Sequence, residues 1–159
     1  MPIISVVIPT YNRLKFVTKT IASLLDQKAD DFEIIVVNDN SPDNSIVILK
    51  EIALKQPNIK VISLARNFGQ HIAISAGLKY VKGDAAIIMD DDLQDPPEFI
   101  PQLISKWKEG YDIVYAIKTN RKEGLFKKIS YKLFYKILSR LSEIPVPQQS
   151  GDFCIMSRQ

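Results

Sequence analysis

The sequence has 159 residues, room for one ordinary domain with a sizeable core, and its 46% hydrophobic and 25% charged residues exclude a disordered chain. No apolar run reaches the ~20 residues of a membrane span; the start MPIISVVIPTYN predicts no secretory leader, and one cysteine with one histidine excludes a disulfide framework and a Cys/His zinc site, so a reduced, cytoplasmic setting is expected. The net charge of +3 is unevenly spread: Lys118 to Arg140 holds eight Lys/Arg against Glu123 and carries +7, leaving −4 on the rest, which argues against a nucleic-acid binder.

Ile3 to Ile8 is a β-branched run ended by Pro9 and predicts a strand buried on both faces. Val17, Ile21, Leu24 and Leu25 recur at helical spacing within Leu14 to Gln27. Glu33 to Val37 predicts a second buried strand, stopped by NDNSPDN. There Ser41 and Pro42 fit an N-cap and first helical position for a helix to about Lys55. Lys60 to Leu64 predicts a third strand, followed by the turn RNFGQ and a helix to about Tyr80. Lys82-Gly83-Asp84 turns the chain into AAIIM, the most apolar strand, which runs directly onto Asp90, Asp91 and Asp92. The segment after Pro96-Pro97 is expected to be helical to Glu109, with Tyr111 to Ile117 a fifth strand.

Strands alternating with helices predict the α/β class: a Rossmann-like, mostly parallel sheet with helices on both faces. The late segment differs. Phe126, Ile129, Leu133, Phe134, Ile137, Leu138 and Leu141 form one face, and Lys128, Lys132, Lys136 and Arg140 another, of a basic amphipathic helix expected over 122–142. Such a helix is either an ordinary surface helix with snorkelling lysines or an interfacial one set against anionic lipid. SGDFCIM then reads as entry to one more strand, so residues 1–159 are expected to be a single domain cut short at its C-terminus.

In an open parallel sheet, ligands bind beyond the carboxyl ends of the strands. Those ends carry Pro9-Thr10-Tyr11-Asn12, Asn38-Asp39, Ala65-Arg66-Asn67 and Asp90-Asp91-Asp92. There is no G-x-G-x-x-G after the first strand and no G-x-x-x-x-G-K-[ST], which excludes dinucleotide-fingerprint and P-loop sites. Three consecutive carboxylates repel one another, and a hard divalent cation such as Mg²⁺ or Mn²⁺ would relieve that repulsion while sharing substrate phosphates. If the pleat persisted, Asp90 and Asp92 would share the ligand side and Asp91 would face away. A solvated acidic turn is the alternative for DDD alone, but its place after a buried strand favours the cation. Asp39 could accept N–H groups of a base or hydroxyls of a ribose, or serve as an Asx-turn or cap for the helix after Pro42. His71 reads as a surface or packing histidine, Cys154 as an inert core thiol, and Trp107 as packing between helix and sheet.

In order, VVIPTYNR, EIIVVNDNSPD, LARNFGQ, GDAAIIMDDDLQDPPE and SGDF resemble the family 2 GT-A glycosyltransferases. The likeness is nearest to the polyprenyl-phosphate sugar transferases, of the dolichyl-phosphate mannose synthase and bactoprenol glucosyltransferase type. It covers nearly the whole chain, and DDDLQDPPE is its most specific part. The resemblance implies a GT-A fold and an inverting, metal-dependent transfer of a sugar from a nucleotide-sugar to a polyprenyl-phosphate lipid, at the inner face of the membrane. It implies that Pro9, Thr10 and Tyr11 line the nucleotide pocket and that Asp39 holds the base. Asp90 and Asp92 match the D-x-D pair, with Asp91 between them in the donor site and Asp92 and Gln94 at the Mg²⁺ or Mn²⁺. Asp152 matches the acid that orients or deprotonates the acceptor, and Arg121 and Lys122 lie where a lipid phosphate would be gripped. Two positions depart from the pattern: Arg13 stands where the family usually has Glu, and Asp91 where relatives often have a small residue. Other readings are a GT-A transferase acting on a glycan hydroxyl and a nucleotide-binding module without turnover; a homo-oligomer is compatible with each. A receiver domain of the response-regulator type is excluded, because the first strand ends in PTYN rather than paired acids.

Overall fold

A computed structural model describes residues 3–27, 32–117 and 150–158. The chain divides into two compact units, residues 1–115 with 152–159 and residues 116–151, and the cavity and acids discussed below belong to the first. Arg121, Lys122 and the whole of the basic helix expected over 122–142 lie outside the described residues.

Six strands, β1 (Ile4–Thr10), β2 (Phe32–Asn38), β3 (Ile59–Ser63), β4 (Ala85–Ile88), β5 (Ile113–Ile117) and β6 (Ser150–Ser157), form one sheet in the order β3-β2-β1-β4-β6-β5. β1 to β4 pair in parallel, and β6 runs antiparallel against β4, Ala85 opposite Ser157 and Ile88 opposite Cys154. The helices are α1 (Leu14–Leu25), α2 (Ser45–Lys55), α3 (Gln70–Leu78) and α4 (Ile100–Lys108), the last led in by a 3-10 turn over Pro97–Phe99. Among the described residues no helix is long and apolar enough to cross a membrane.

All seven residues of β1 are buried, because the strand is central and covered on both faces. On one face Val7, Ile35, Val37 and Ala86 pack with Ala73 of α3. On the other, Ile4, Val6 and Phe32 meet Leu24 of α1 and Ile100 and Ile104 of α4 around a small apolar cavity. The amino ends of the strands are tied by a buried polar knot. Ser5 Oγ donates to Glu33 Oε1 at 2.7 Å and accepts from the Gly83 N–H at 2.9 Å, while the Lys82 N–H and Lys60 Nζ also donate to Glu33. Burial alone would raise the Glu33 pKa, but these donors outweigh it and hold it below the usual carboxylate range.

Several boundaries shift by a residue or two from the expectation drawn from sequence, β5 beginning at Ile113 rather than Tyr111, and two larger differences have a clear cause. β1 runs through Pro9 to Thr10, pairing Pro9 with Val37 and Thr10 with Asn38. Alternation along the strand points the missing Pro9 donor toward β4, whose ladder has already ended at Ile88, so no hydrogen bond is forfeited. Helix α2 starts at Ser45, not at Pro42, because Ser41 Oγ is taken by the Asn12 N–H at 3.0 Å. Asp43 takes over at the helix start, accepting the Ser45 N–H at 3.1 Å and the Leu14 N–H at 3.2 Å, which joins the beginnings of α1 and α2.

α3 sits close on the sheet because residue 77 is glycine: a Cβ there would lie 2.5 Å from Val7 Cγ1 and 2.9 Å from Val37 Cγ2. Gly77→Ala is expected to cost about 1–3 kcal/mol through overpacking. Combining it with Val7→Ala should recover part of that loss, since the added methyl occupies vacated space. Urea unfolding of the two single variants and the double variant checks this, and strictly additive losses would contradict the close contact.

Candidate active site

The strand order reverses beside β1, where β2 leaves on one side and β4 arrives on the other, and that switch point opens a crevice at the carboxyl ends. A cavity of about 300 Å³ lies there, lined by Pro9, Tyr11, Arg13, Asp39, Gln70, Ala73, Asp90, Asp91 and Asp92. Six of the residues singled out from sequence meet in it. Thr10 lies beneath instead, buried, with its hydroxyl donating to Asp91 Oδ2 at 2.5 Å. Gln94 is exposed and does not line the cavity; its N–H donates to Asp92 Oδ1 at 3.0 Å. Asp152, on β6, is exposed and is tied to the cavity through Gln70.

The Asp39 carboxylate neither forms an Asx-turn nor caps α2. It reaches across to the RNFGQ turn, where Oδ1 accepts the Phe68 N–H and Oδ2 the Gly69 N–H, both at 2.8 Å. Gly69 is the N-cap of α3 with φ of +90°, a conformation that favours glycine, so the turn and the acid are matched. A carboxylate at that helix start is also favoured by the helix dipole. The position of Asp39 in the cavity wall is therefore fixed from both strand β2 and helix α3.

The three consecutive acids do not keep the strict alternation of a strand, because β4 ends at Ile88 and the chain turns, with Leu93 left-handed at φ of +63°. All three line the cavity. Asp90 Oδ1 accepts from Gln70 Nε2 at 2.8 Å, and the Asp90 N–H donates to the buried Asp95 at 3.2 Å. Asp91 is buried against Thr10 and Arg13, with Arg13 Nη1 at 3.2 Å from Asp91 Oδ1 and 3.7 Å from Asp92 Oδ2. The Asp91 carbonyl also accepts from Thr20 Oγ1 at 3.1 Å, which anchors the acidic turn to α1. Arg13 and Asp91, the two departures from the family pattern, are thus bonded to each other.

Charge crowding is felt most at Asp90. Burial, then the nearby charges of Asp95, Asp92, Asp152 and Asp91, push its pKa up to about 6. Burial raises Asp91 as well, against the opposing pull of Thr10 and Arg13. Among the described residues no group of three or more His, Cys, Asp or Glu side chains is arranged to hold a metal ion by itself. The donor set is nevertheless of hard oxygens that repel each other, which suits a divalent cation that brings further oxygens with its ligand.

Gln70 and the Arg13–Asp91 pair were not singled out as a linked site from sequence; RNFGQ marked a turn but not the reach of its last side chain. His71 is exposed on α3. Cys154 is buried, and burial followed by the charge of Asp152 pushes its thiol up to about 11, which leaves it unreactive. Trp107 Nε1 donates to Ser157 Oγ at 2.9 Å, packing α4 against β6.

The mostly parallel α/β sheet with an acid-lined crevice at its switch point is of the GT-A fold class. Residues 5–159 match Glycosyl transferase family 2, and the chain belongs to that family. It is 45% identical over 159 residues to the uncharacterized glycosyltransferase YkcC of Bacillus subtilis (strain 168), covering 98% of this chain and 49% of that protein. It is 38% identical to the bactoprenol glucosyl transferase of Shigella phage SfV, covering 98% of this chain and 52% of that one. The chain thus spans about half the length of the curated relatives it matches. The fold superposes with a TM-score of 0.70, at 20% identity, on the mannosyltransferase PcManGT from Pyrobaculum calidifontis, solved with GDP-Man and Mn²⁺, covering 99% of this chain and 45% of that one.

Two measurements test this arrangement. Arg13→Ala removes one partner of a buried carboxylate and is expected to cost about 1–2 kcal/mol in unfolding free energy. The double variant with Asp91→Asn should cost less than the two losses added together. The second concerns pH. The Asp90 pKa in the folded state lies above the unfolded 3.8, so its favourable proton-linked contribution is complete below 3.8 and is lost as pH rises through about 6. Asp90→Asn should therefore gain stability relative to wild type between pH 5 and pH 7 in the absence of metal, read from thermal midpoints; a pH-independent difference would contradict the crowding.

Proposed function

We propose that this domain binds a nucleotide-sugar donor and a divalent cation in the switch-point cavity and transfers the sugar, with inversion, to a polyprenyl-phosphate lipid. The observation that carries this reading is the meeting of Pro9, Tyr11 and Asp39 with Asp90, Asp91 and Asp92 in one crevice, with Asp152 linked to it by Gln70. An acidic wall is a poor site for a bare diphosphate. It becomes a good one when a cation lies between the two, which is why the pairing of acids with a nucleotide-sized cavity favours a metal-bound donor.

In this reading Asp90 and Asp92 hold the cation, with Gln94 beside it. Bound Mg²⁺ or Mn²⁺ would supply neutralisation of the charge that develops on the leaving diphosphate. Pro9, Tyr11 and Asp39 hold the base and ribose, the Arg13 guanidinium, paired with Asp91, lines the same cavity, and Asp152 faces the acceptor. The acceptor assignment draws on the 38% identity to bactoprenol glucosyl transferases and on Arg121 and Lys122, placed by resemblance where a lipid phosphate would sit. A phosphate monoester, with a second pKa near ~6, is largely ionised at neutral pH. Asp152 would then orient the nucleophile rather than take its proton, whereas a glycan hydroxyl would need a true general base.

The test is calorimetric binding of UDP and GDP with and without Mn²⁺, followed by transfer assays of the full-length protein with nucleotide-sugars and polyprenyl phosphate. Metal-dependent binding of one nucleotide, lost in Asp92→Ala, and label appearing in lipid are the expected results. Absence of nucleotide binding by a folded protein would overturn the reading. For a phosphate acceptor, Asp152→Asn should slow transfer about tenfold or less; a fall of about a thousandfold or more would point to a hydroxyl acceptor.

A further inference from the structure

Gln70 occupies an unusual place in the cavity. Its Nε2 lies 2.8 Å from Asp90 Oδ1 and 2.9 Å from Asp152 Oδ2, so the two hydrogens of one amide are shared between a carboxylate in the turn after β4 and one on β6. β4 and β6 run antiparallel as neighbours in a register that brings the two acids near each other, but the ladder ends at Ile88 opposite Cys154, two residues short of both, so the side chains themselves are held by other contacts. Left alone, like charges at close range move apart toward solvent. The amide also has a fixed base. Gln70 is the first residue of α3, next to Gly69, whose N–H is held by Asp39 Oδ2 at 2.8 Å. Through this one turn, the acids just past β2 and β4 and the one on β6 are referred to a single short segment.

We propose that Gln70 is a positioning residue: its side-chain amide holds the Asp152 carboxylate beside Asp90, so that the acceptor-facing acid is set in register with the donor half of the cavity. This rests on the transferase reading above and deepens it. A neutral amide suits the task. Lysine or arginine at this position would bridge the same two acids but would neutralise them, drawing Asp90 away from a cation and Asp152 away from an acceptor. The amide restrains both acids and leaves their charge in place. Because reacting groups must be held to within a fraction of an ångström, a loosened Asp152 should slow the chemical step while leaving donor binding intact.

The test uses the full-length protein with Gln70→Ala and with Gln70→Met, which keeps the length of the side chain and cannot donate. The expected result is nucleotide affinity in Mn²⁺ within about threefold of wild type and kcat for transfer lowered about threefold to tenfold, by no more than Asp152→Asn lowers it. The discriminating arm is the double variant. In an Asp152→Asn background, Gln70→Met should have little further effect on kcat, because Gln70 acts through Asp152. Equal losses in both backgrounds, unchanged transfer, or loss of nucleotide binding together with kcat would each overturn the proposal. A crystal structure of wild type and of Gln70→Met gives an arm that needs no turnover: displacement of the Asp152 carboxylate from Asp90 supports the proposal, and an unmoved carboxylate overturns it. A wild-type protein that binds no nucleotide would overturn the transferase reading instead, while the crystallographic arm would still decide whether Gln70 places Asp152.

Discussion

Asp90, Asp91, Asp92 and Asp95 fall within six residues at the end of one short strand, and β6 adds Asp152 nearby. Ionised carboxylates this close raise each other's free energy, more so where they are partly withdrawn from water. Much of the surrounding structure answers that repulsion. Arg13 and Thr10 engage Asp91, Gln70 restrains Asp90 and Asp152, and the Gln94 N–H takes Asp92. Burial and the charge these partners leave uncompensated together push the Asp90 pKa up to about 6. That unrelieved charge is the ground on which a cation is proposed for the crevice.

The sheet makes this concentration possible. A carboxyl end packed with acids has to be backed by an apolar strand, and Ala85 to Met89 is buried from end to end. The opposite ends of the same strands show the reverse solution, a single buried glutamate satisfied by a lysine, a serine and a backbone N–H. One end of the sheet is closed and quiet, the other open and charged. The difference lies in how fully each acid has been given partners.

Fold class was legible because the physics behind it is local. Buried parallel strands need continuous β-branched runs, and Ile3 to Ile8, Glu33 to Val37 and Ala85 to Met89 supply them. The errors came where a residue's local preference met a longer-range demand. Proline at position 9 reads as a stop, yet the ladder it would interrupt has already ended on that side. Ser41 reads as a helix cap, yet Asn12, far away in sequence, claims its hydroxyl. Asp39 offered two local roles and took a third, on a turn thirty residues on. The acids of the site announced themselves by clustering. Gln70, and the pairing of Arg13 with Asp91, did not, since a neutral amide or a lone arginine gains meaning only once its partners are placed in space.

The position of β6 bears on how the chain reaches this state. The strand lies between β4 and β5 in the sheet, yet it is the last of the six to be made, and its Ser157 pairs with Ala85. Contacts so distant in sequence form late, because the intervening chain must lose its freedom before they are rewarded. During synthesis β4 would wait with one edge bare while the remaining residues emerged, a period in which a chaperone or a neighbouring nascent chain could occupy it. The same pairing brings Asp152 within reach of Gln70 at the edge of the cavity. A chain in which β6 has not yet docked would therefore hold the acids after β4 without Asp152 beside them, so this part of the site is assembled by the pairing of β6 with β4.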